Sequence, residues 1–229
     1  MGSQRRLENL LEAISHWLNF EKMCNKKGLF NEKYLSYPIG QFLRSRHSTG
    51  LRPEYTHPFL NYKGVGAKPK IDFVIKEKIN DDWEIIIAIE VKWLSESQSL
   101  LKNCIKDILR LALVADNCKK ATCFFIISGK YRDWLSKIEN NEKFSFTQIN
   151  GKKINLLGCD VPGHYDLRTN APNGQFPDVI KKAKKELKPK CVLPDRIRIT
   201  NYGMYPNYGK DPKKPRRDEY IAIGWEIQT

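Results

Sequence analysis

The stretch KIDFVIKEKINDDWEIIIAIEVKW, residues 70–93, constrains the fold more than any other part of the chain. Two apolar, β-branched runs flank the polar triplet Asn80, Asp81 and Asp82, the composition of two strands joined by a turn. Strands are therefore predicted near residues 70–77 and 83–92. From Ser95 to Asn117, Leu101, Ile105, Ile108, Leu109, Ala112 and Leu113 share one face of a helix. ATCFFIIS then reads as a buried strand bounded by Gly129, and YRDWLSKI as a short helix. Strand, strand, helix, strand, helix predicts an α/β fold: one domain over residues 1–229, a central mixed β-sheet flanked by helices.

The flanking regions fit that scheme. Leu7, Leu10, Leu11, Ile14 and Leu18 recur at helical spacing over about residues 4–23. Asn31 is a good cap for a second helix, which Pro38 is expected to kink or split. A short strand near Glu54 to His57 is expected in the Gly- and Pro-rich segment that follows, and residues 157–176 are expected to form a loop. PDVIKKAKKELK reads as a basic amphipathic helix. CVLPDRIRIT and EYIAIGWEI read as strands joined by the loop NYGMYPNYGKDPKKPRRD.

Charge narrows the partners. The chain of 229 residues carries a net +14, of which +10 falls between Lys181 and Arg217, where thirteen Lys/Arg face Glu186, Asp195 and Asp211. Such a surface attracts polyanions, nucleic acid above all; the plain alternative is a solubilising face. The longest apolar runs are too short to span a bilayer, and the start MGSQRRLENLL lacks the apolar stretch of a signal peptide. Cysteines 24, 104, 118, 123, 159 and 191 form no CxxC pair, and the four histidines are scattered, which argues against zinc and against a disulfide framework. A cytoplasmic protein with no membrane partner is expected.

Within the opening stretch, Asp72, Glu90 and Lys92 interrupt apolar runs. Side chains alternate faces along a strand, so Glu90 and Lys92 point one way, with Ile86 and Ala88, while Ile85, Ile87, Ile89 and Val91 point the other. If the two strands pair as a hairpin, Asp72 lies beside Glu90 and Lys92. Two adjacent carboxylates do not both ionise without a compensating cation. Mg²⁺ suits them: a hard ion taking one or two carboxylates, waters and phosphate oxygens, with the Val91 carbonyl as a further ligand. Lys92 would help a bound water lose its proton, or stabilise charge on an attacked phosphate. The alternative is an ordinary hairpin with a Glu–Lys pair at its solvent end.

IDFVI followed by IEVKW resembles the paired-strand motif of the PD-(D/E)xK nuclease superfamily, the restriction-endonuclease-like fold. Asp72 stands for the motif's Asp, and Glu90, Val91 and Lys92 for its acidic-x-Lys. Ile71, not Pro, precedes Asp72. The resemblance covers roughly residues 30–135, leaving a basic C-terminal helix and strands at about 176–229. It implies a Mg²⁺-dependent (Mn²⁺ substituting) nuclease acting on DNA, in bacterial defence or repair, with a homodimer natural for double-strand cutting. Members often carry another Glu on a preceding helix. Glu32 fits best, with Glu12 and Glu54 as alternatives; for Glu32 a first-turn carboxylate favoured by the helix dipole is the competing role.

Candidate nucleic-acid contacts are Lys102, Lys106 and Arg110, an i, i+4, i+8 stripe on the helix after the motif, and Lys213, Lys214, Arg216 and Arg217 in the tail. Asp107 is an alternative partner for Arg110. Tyr202, Tyr205 and Tyr208 in that tail are candidates to stack on bases. The rival functions are a nucleic-acid-binding module without cleavage and an RNA-processing nuclease.

Overall fold

The computed structural model describes residues 3–61, 68–94, 99–147, 153–157, 164–169, 177–206 and 215–229. Two helices lead, α1 (Ser3–Met23) and α2 (Glu32–Arg46). They are followed by β1 (Leu51–Thr56), β2 (Lys70–Ile79), β3 (Asp82–Trp93), α3 (Leu100–Asn117) and β4 (Thr122–Lys130). A one-turn helix α4 (Tyr131–Trp134) passes into a small hairpin of β5 (Ser145–Thr147) and β6 (Lys153–Asn155). The chain ends with β7 (His164–Arg168), α5 (Pro177–Leu187), β8 (Arg196–Tyr205) and β9 (Tyr220–Gln228).

Seven strands form one mixed sheet in the order β1-β2-β3-β4-β9-β8-β7. Only β3 and β4 run parallel, because α3 carries the chain back across the sheet between them. Apolar side chains fill both faces. On one, α3 and α5 cover Ala88, Phe125, Ile127, Ile199, Ile223 and Trp225. On the other, α1 and α2 cover Phe73, Ile75, Ile87, Ile89, Val91, Phe124 and Ile126. This is the α/β architecture expected, with the mixed sheet between helical layers.

Several local expectations change. Helix α2 runs through Pro38 unsplit, since the proline ring is buried with Leu35, Ile39 and Leu43 and that burial offsets one lost backbone bond. A bulge in the β2–β3 pairing sets Ile75 against Ile87 but Lys76 against Ile85. The extra residue, Ile86, inverts the alternation, so Ile85 joins the α3 face and Ile86 the α1/α2 face, opposite to the assignment from simple period two. Part of the segment 157–176 is the edge strand β7, not loop. Strand β8 begins only after Pro194 and Asp195, and runs on to Tyr205 past a bulge at Gly203, whose φ of +95° suits glycine. Tyr202 and Tyr205 therefore belong to the sheet and pack against its core, rather than standing free in a loop to meet bases. Tyr208 lies outside the described residues.

No helix among the described residues is long and apolar enough to cross a membrane. Cys24, Cys104, Cys118, Cys123 and Cys191 are free thiols.

Candidate active site

The site forms where β3 ends. Pairing of Phe73 with Ile89 and Val74 with Ala88 sets Asp72 across from Glu90 one step further on. Asp72 Oδ2 accepts the Val91 backbone N–H at 2.7 Å. The end of β3 is fixed against β4: Lys92 pairs with Ile127, Trp93 with Ser128, and the Leu94 N–H donates to the Ser128 carbonyl. Gly129 permits that closeness, because a Cβ there would lie 2.5 Å from the Leu94 Cβ.

Helix α3 closes the site from its face of the sheet. Arg110 Nη2 stands 2.9 Å from Glu90 Oε1, and Arg110 Nη1 donates to Asp107 Oδ1 at 3.1 Å. Lys92 Nζ lies 3.1 Å from Asp107 Oδ2 and 3.3 Å from Glu32 Oε2. Glu32 reaches over from the first turn of α2, where Asn31 caps the helix by accepting the Tyr34 N–H, and it also accepts the Trp93 N–H at 3.4 Å. Four carboxylates and two cations thus share one polar island, two charges short of neutral if all ionise.

Burial sets their protonation. Glu90 is 2% exposed and Asp107 5%. Desolvation pushes the Asp72 carboxyl up to about 6, with the Asp107 charge adding to it and the Val91 N–H opposing it. Desolvation drives Glu90 well above the ordinary carboxylate range despite Arg110, with Asp107 and Asp72 pushing the same way. For Lys92 burial works against the ammonium, but Asp107 and Glu32 outweigh it and the net shift is upward. Its two acidic neighbours thus favour the ammonium, the form that can offset nearby negative charge. Glu90 Oε1 and Asp107 Oδ2 are buried within ion-pair distance of Arg110 and Lys92 but lack a hydrogen bond of good geometry, leaving acceptor capacity unused.

Other candidates fall elsewhere. Glu54 lies opposite Asp72 in the β1–β2 register, but in left-handed backbone (φ +51°), with its exposed side chain paired to Lys70. Glu12 is exposed on α1 beside His16. The Lys102, Lys106, Arg110 stripe divides: Arg110 turns inward, whereas Lys102 and Lys106 both reach Glu186 on α5, at 2.9 and 3.3 Å. Arg216 and Arg217 are exposed at the sheet end that also carries Lys92, where the Arg132 N–H donates to the Arg217 carbonyl. Lys213 and Lys214 lie outside the described residues.

Two contributors were not assigned from sequence. By spacing Asp107 is a partner for Arg110; its further signal is a carboxylate on the apolar face of α3, between Cys104 and Leu111. His57, one of four histidines scattered along the sequence, is buried. Its Nδ1 accepts the Phe59 N–H, so Nε2 carries the proton donated to the Arg110 carbonyl at 3.0 Å, tying the end of β1 to α3.

A metal could be held by Asp72 and Glu90. Among the described residues no three His, Cys, Asp or Glu side chains form a metal cage by themselves. An ion here would complete its shell with backbone oxygen, water and phosphate oxygen, the coordination habit of Mg²⁺. The unused acceptor capacity at Glu90 fits a divalent cation, whose charge would favour the ionised form of both Asp72 and Glu90. Comparison of the chain with protein-family models, curated proteins and solved structures gives no match.

Proposed function

We propose that the chain is a Mg²⁺-dependent nuclease of restriction-endonuclease-like type that hydrolyses phosphodiester bonds, in DNA rather than RNA, and works in the cytoplasm. The observation that carries this reading is the convergence of Asp72, Glu90 and a charged Lys92 at one strand end. Asp72 and Glu90 would hold the cation, with the Val91 carbonyl beside them. A bound Mg²⁺ supplies Lewis acidity and charge neutralisation at the phosphate. Asp107 and Glu32 keep Lys92 protonated and aimed, so its ammonium meets the negative charge that grows on the phosphate oxygens as water attacks phosphorus and the P–O ester bond to the leaving sugar breaks. Arg216 and Arg217, exposed at the same sheet end, would hold flanking phosphates, as would Lys102 and Lys106 on release from Glu186.

A second reading has its own support. Arg110 and Lys92 already pair with Glu90 and Asp107, so the island is partly compensated without a metal, as in a binding module that does not cut. Incubation with plasmid, single-stranded DNA and RNA, in Mg²⁺ or in chelator, separates the two. Mg²⁺-dependent cleavage of DNA is expected; tight binding with no cleavage in Mg²⁺ or Mn²⁺ would establish the second reading.

A further inference from the structure

Behind the strand that carries Glu90, on the opposite face of the sheet, α1 and α2 leave a cavity of about 190 Å³. Its floor is apolar: Leu10, Leu43, Ile87, Ile89 and Phe124. Each of these keeps 1–5% exposure, while neighbours such as Leu11, Ile39 and Ile126 keep none, so the floor opens outward. The rim is formed by two cations, Arg6 on α1 and Arg46 near the end of α2, with the His47 imidazole beside them. Among the described residues no carboxylate pairs with Arg6 or Arg46; Arg46 lies over the Phe42 ring, and only His47 has an acidic neighbour, Glu77 at 3.8 Å. Burial, with the Arg6 charge adding to it and Glu77 opposing, holds His47 below its usual range, so the positive charge of the rim is that of Arg6 and Arg46.

We propose that this cavity binds a small amphipathic monoanion, an apolar body about the size of one aromatic ring bearing a single carboxylate, with the body on Leu10, Leu43, Ile89 and Phe124 and the carboxylate between Arg6 and Arg46. Size and charge together choose this class. An apolar cavity of ~150 Å³ accommodates benzene, so this one takes a ring with its substituent. Arg guanidinium groups recognise a carboxylate through paired N–H donors. A headless apolar ligand would leave the rim uncompensated, and an inorganic anion would leave the floor wet. The inference is independent of the nuclease reading, since it uses none of the groups at the end of β3.

Calorimetric titration of the 229-residue chain with benzoate, phenylacetate and hexanoate tests it, with acetate and benzyl alcohol supplying head and body separately. Ligands of this size bind with Kd between about 10 µM and 10 mM. One site per chain is expected for at least one of the three carboxylates, with acetate and benzyl alcohol at least about tenfold weaker. The double variant Arg6→Ala/Arg46→Ala should weaken binding by about tenfold or more. Leu43→Phe, which fills the floor, should abolish it. If that variant fails to fold, the exposed arginine pair decides the matter alone. No binding by any of the three, equal binding of acetate, or unchanged binding in the double variant overturns the proposal. So does concentration-dependent dimerisation through this face with no ligand uptake.

Discussion

The two ends of the β2–β3 hairpin carry the same residue types in different surroundings. At the turn, Lys78 pairs with Asp81 and Lys120 with Glu84, all with side chains 38% exposed or more. At the far end Glu90, Asp107, Arg110 and Lys92 have side chains 20% exposed or less. Solvent makes the first set cheap and nearly inert: exposed pairs contribute about 0–1 kcal/mol. Exclusion of solvent makes the second set consequential, because each buried charge depends on its partner. The location of a carboxylate, more than its presence, decides whether it can do chemistry.

The strongest way to break this contrast is Arg110→Ala. It strips Glu90 of its nearest counter-charge and should destabilise the metal-free protein by about 3–5 kcal/mol, read as a lowered denaturation midpoint. Added Mg²⁺ should recover part of that loss if Asp72 and Glu90 take up the ion; no recovery would remove the metal from the proposal. Next, Lys92→Ala should lower cleavage by about 10²–10³-fold while leaving nucleic-acid affinity close to parental. Cleavage within about twofold of the parent would reduce the β3 end to an ordinary hairpin terminus.

Asp72→Asn sharpens the comparison through pH. The Asp72 carboxyl titrates near 6 when folded, above its ordinary value of 3.8, so the fold binds its proton more tightly than the unfolded chain does. Its stabilising contribution is full below about pH 4 and is lost as pH rises through about 6. The Asn variant, which still accepts the Val91 N–H, should be more stable than the parent at pH 7 without metal, by on the order of 2–3 kcal/mol. The difference should vanish near pH 4, and Mg²⁺ should no longer raise Tm. His57 works in the opposite sense: burial holds it near 4, so its contribution is present at neutral pH and lost as pH falls from about 6.5 to 4. The smallest effect belongs to the turn: Glu84→Ala should change stability by under about 1 kcal/mol and leave cleavage untouched.

The hairpin, α3 and β4 were legible because period two and period 3.6 are strong signals over long apolar runs. Asp72 and Glu90 were legible because a charge inside such a run conflicts with its burial. The bulge at Ile86 was not, since an inserted residue leaves no mark in composition. β7 was missed because HYDLR pairs at a sheet edge, where burial does not enforce an apolar pattern. The inward turn of Arg110 was hidden by Lys102 and Lys106, which share its spacing but reach solvent and Glu186. Only the three-dimensional packing of α3 on β3 separates them.

The place of β9 in the sheet has a consequence for synthesis. It is the last strand in chain order, yet it lies between β4 and β8, and α1 is fastened to it by paired hydrogen bonds between Asn19 and the Tyr220 backbone. While the ribosome is still translating residues 220–228, β4 presents an open edge, and the surface that receives Leu7 and Leu11 of α1 at Gly224 does not yet exist. Helix α1, which also touches α2, β8 and β4, can therefore complete its seat on the sheet only once β9 has paired. A chain stopped at residue 219 is expected to pellet on centrifugation, since its unpaired β4 edge can join another copy's. Shielding of that edge until β9 has paired is expected to raise the yield of folded protein.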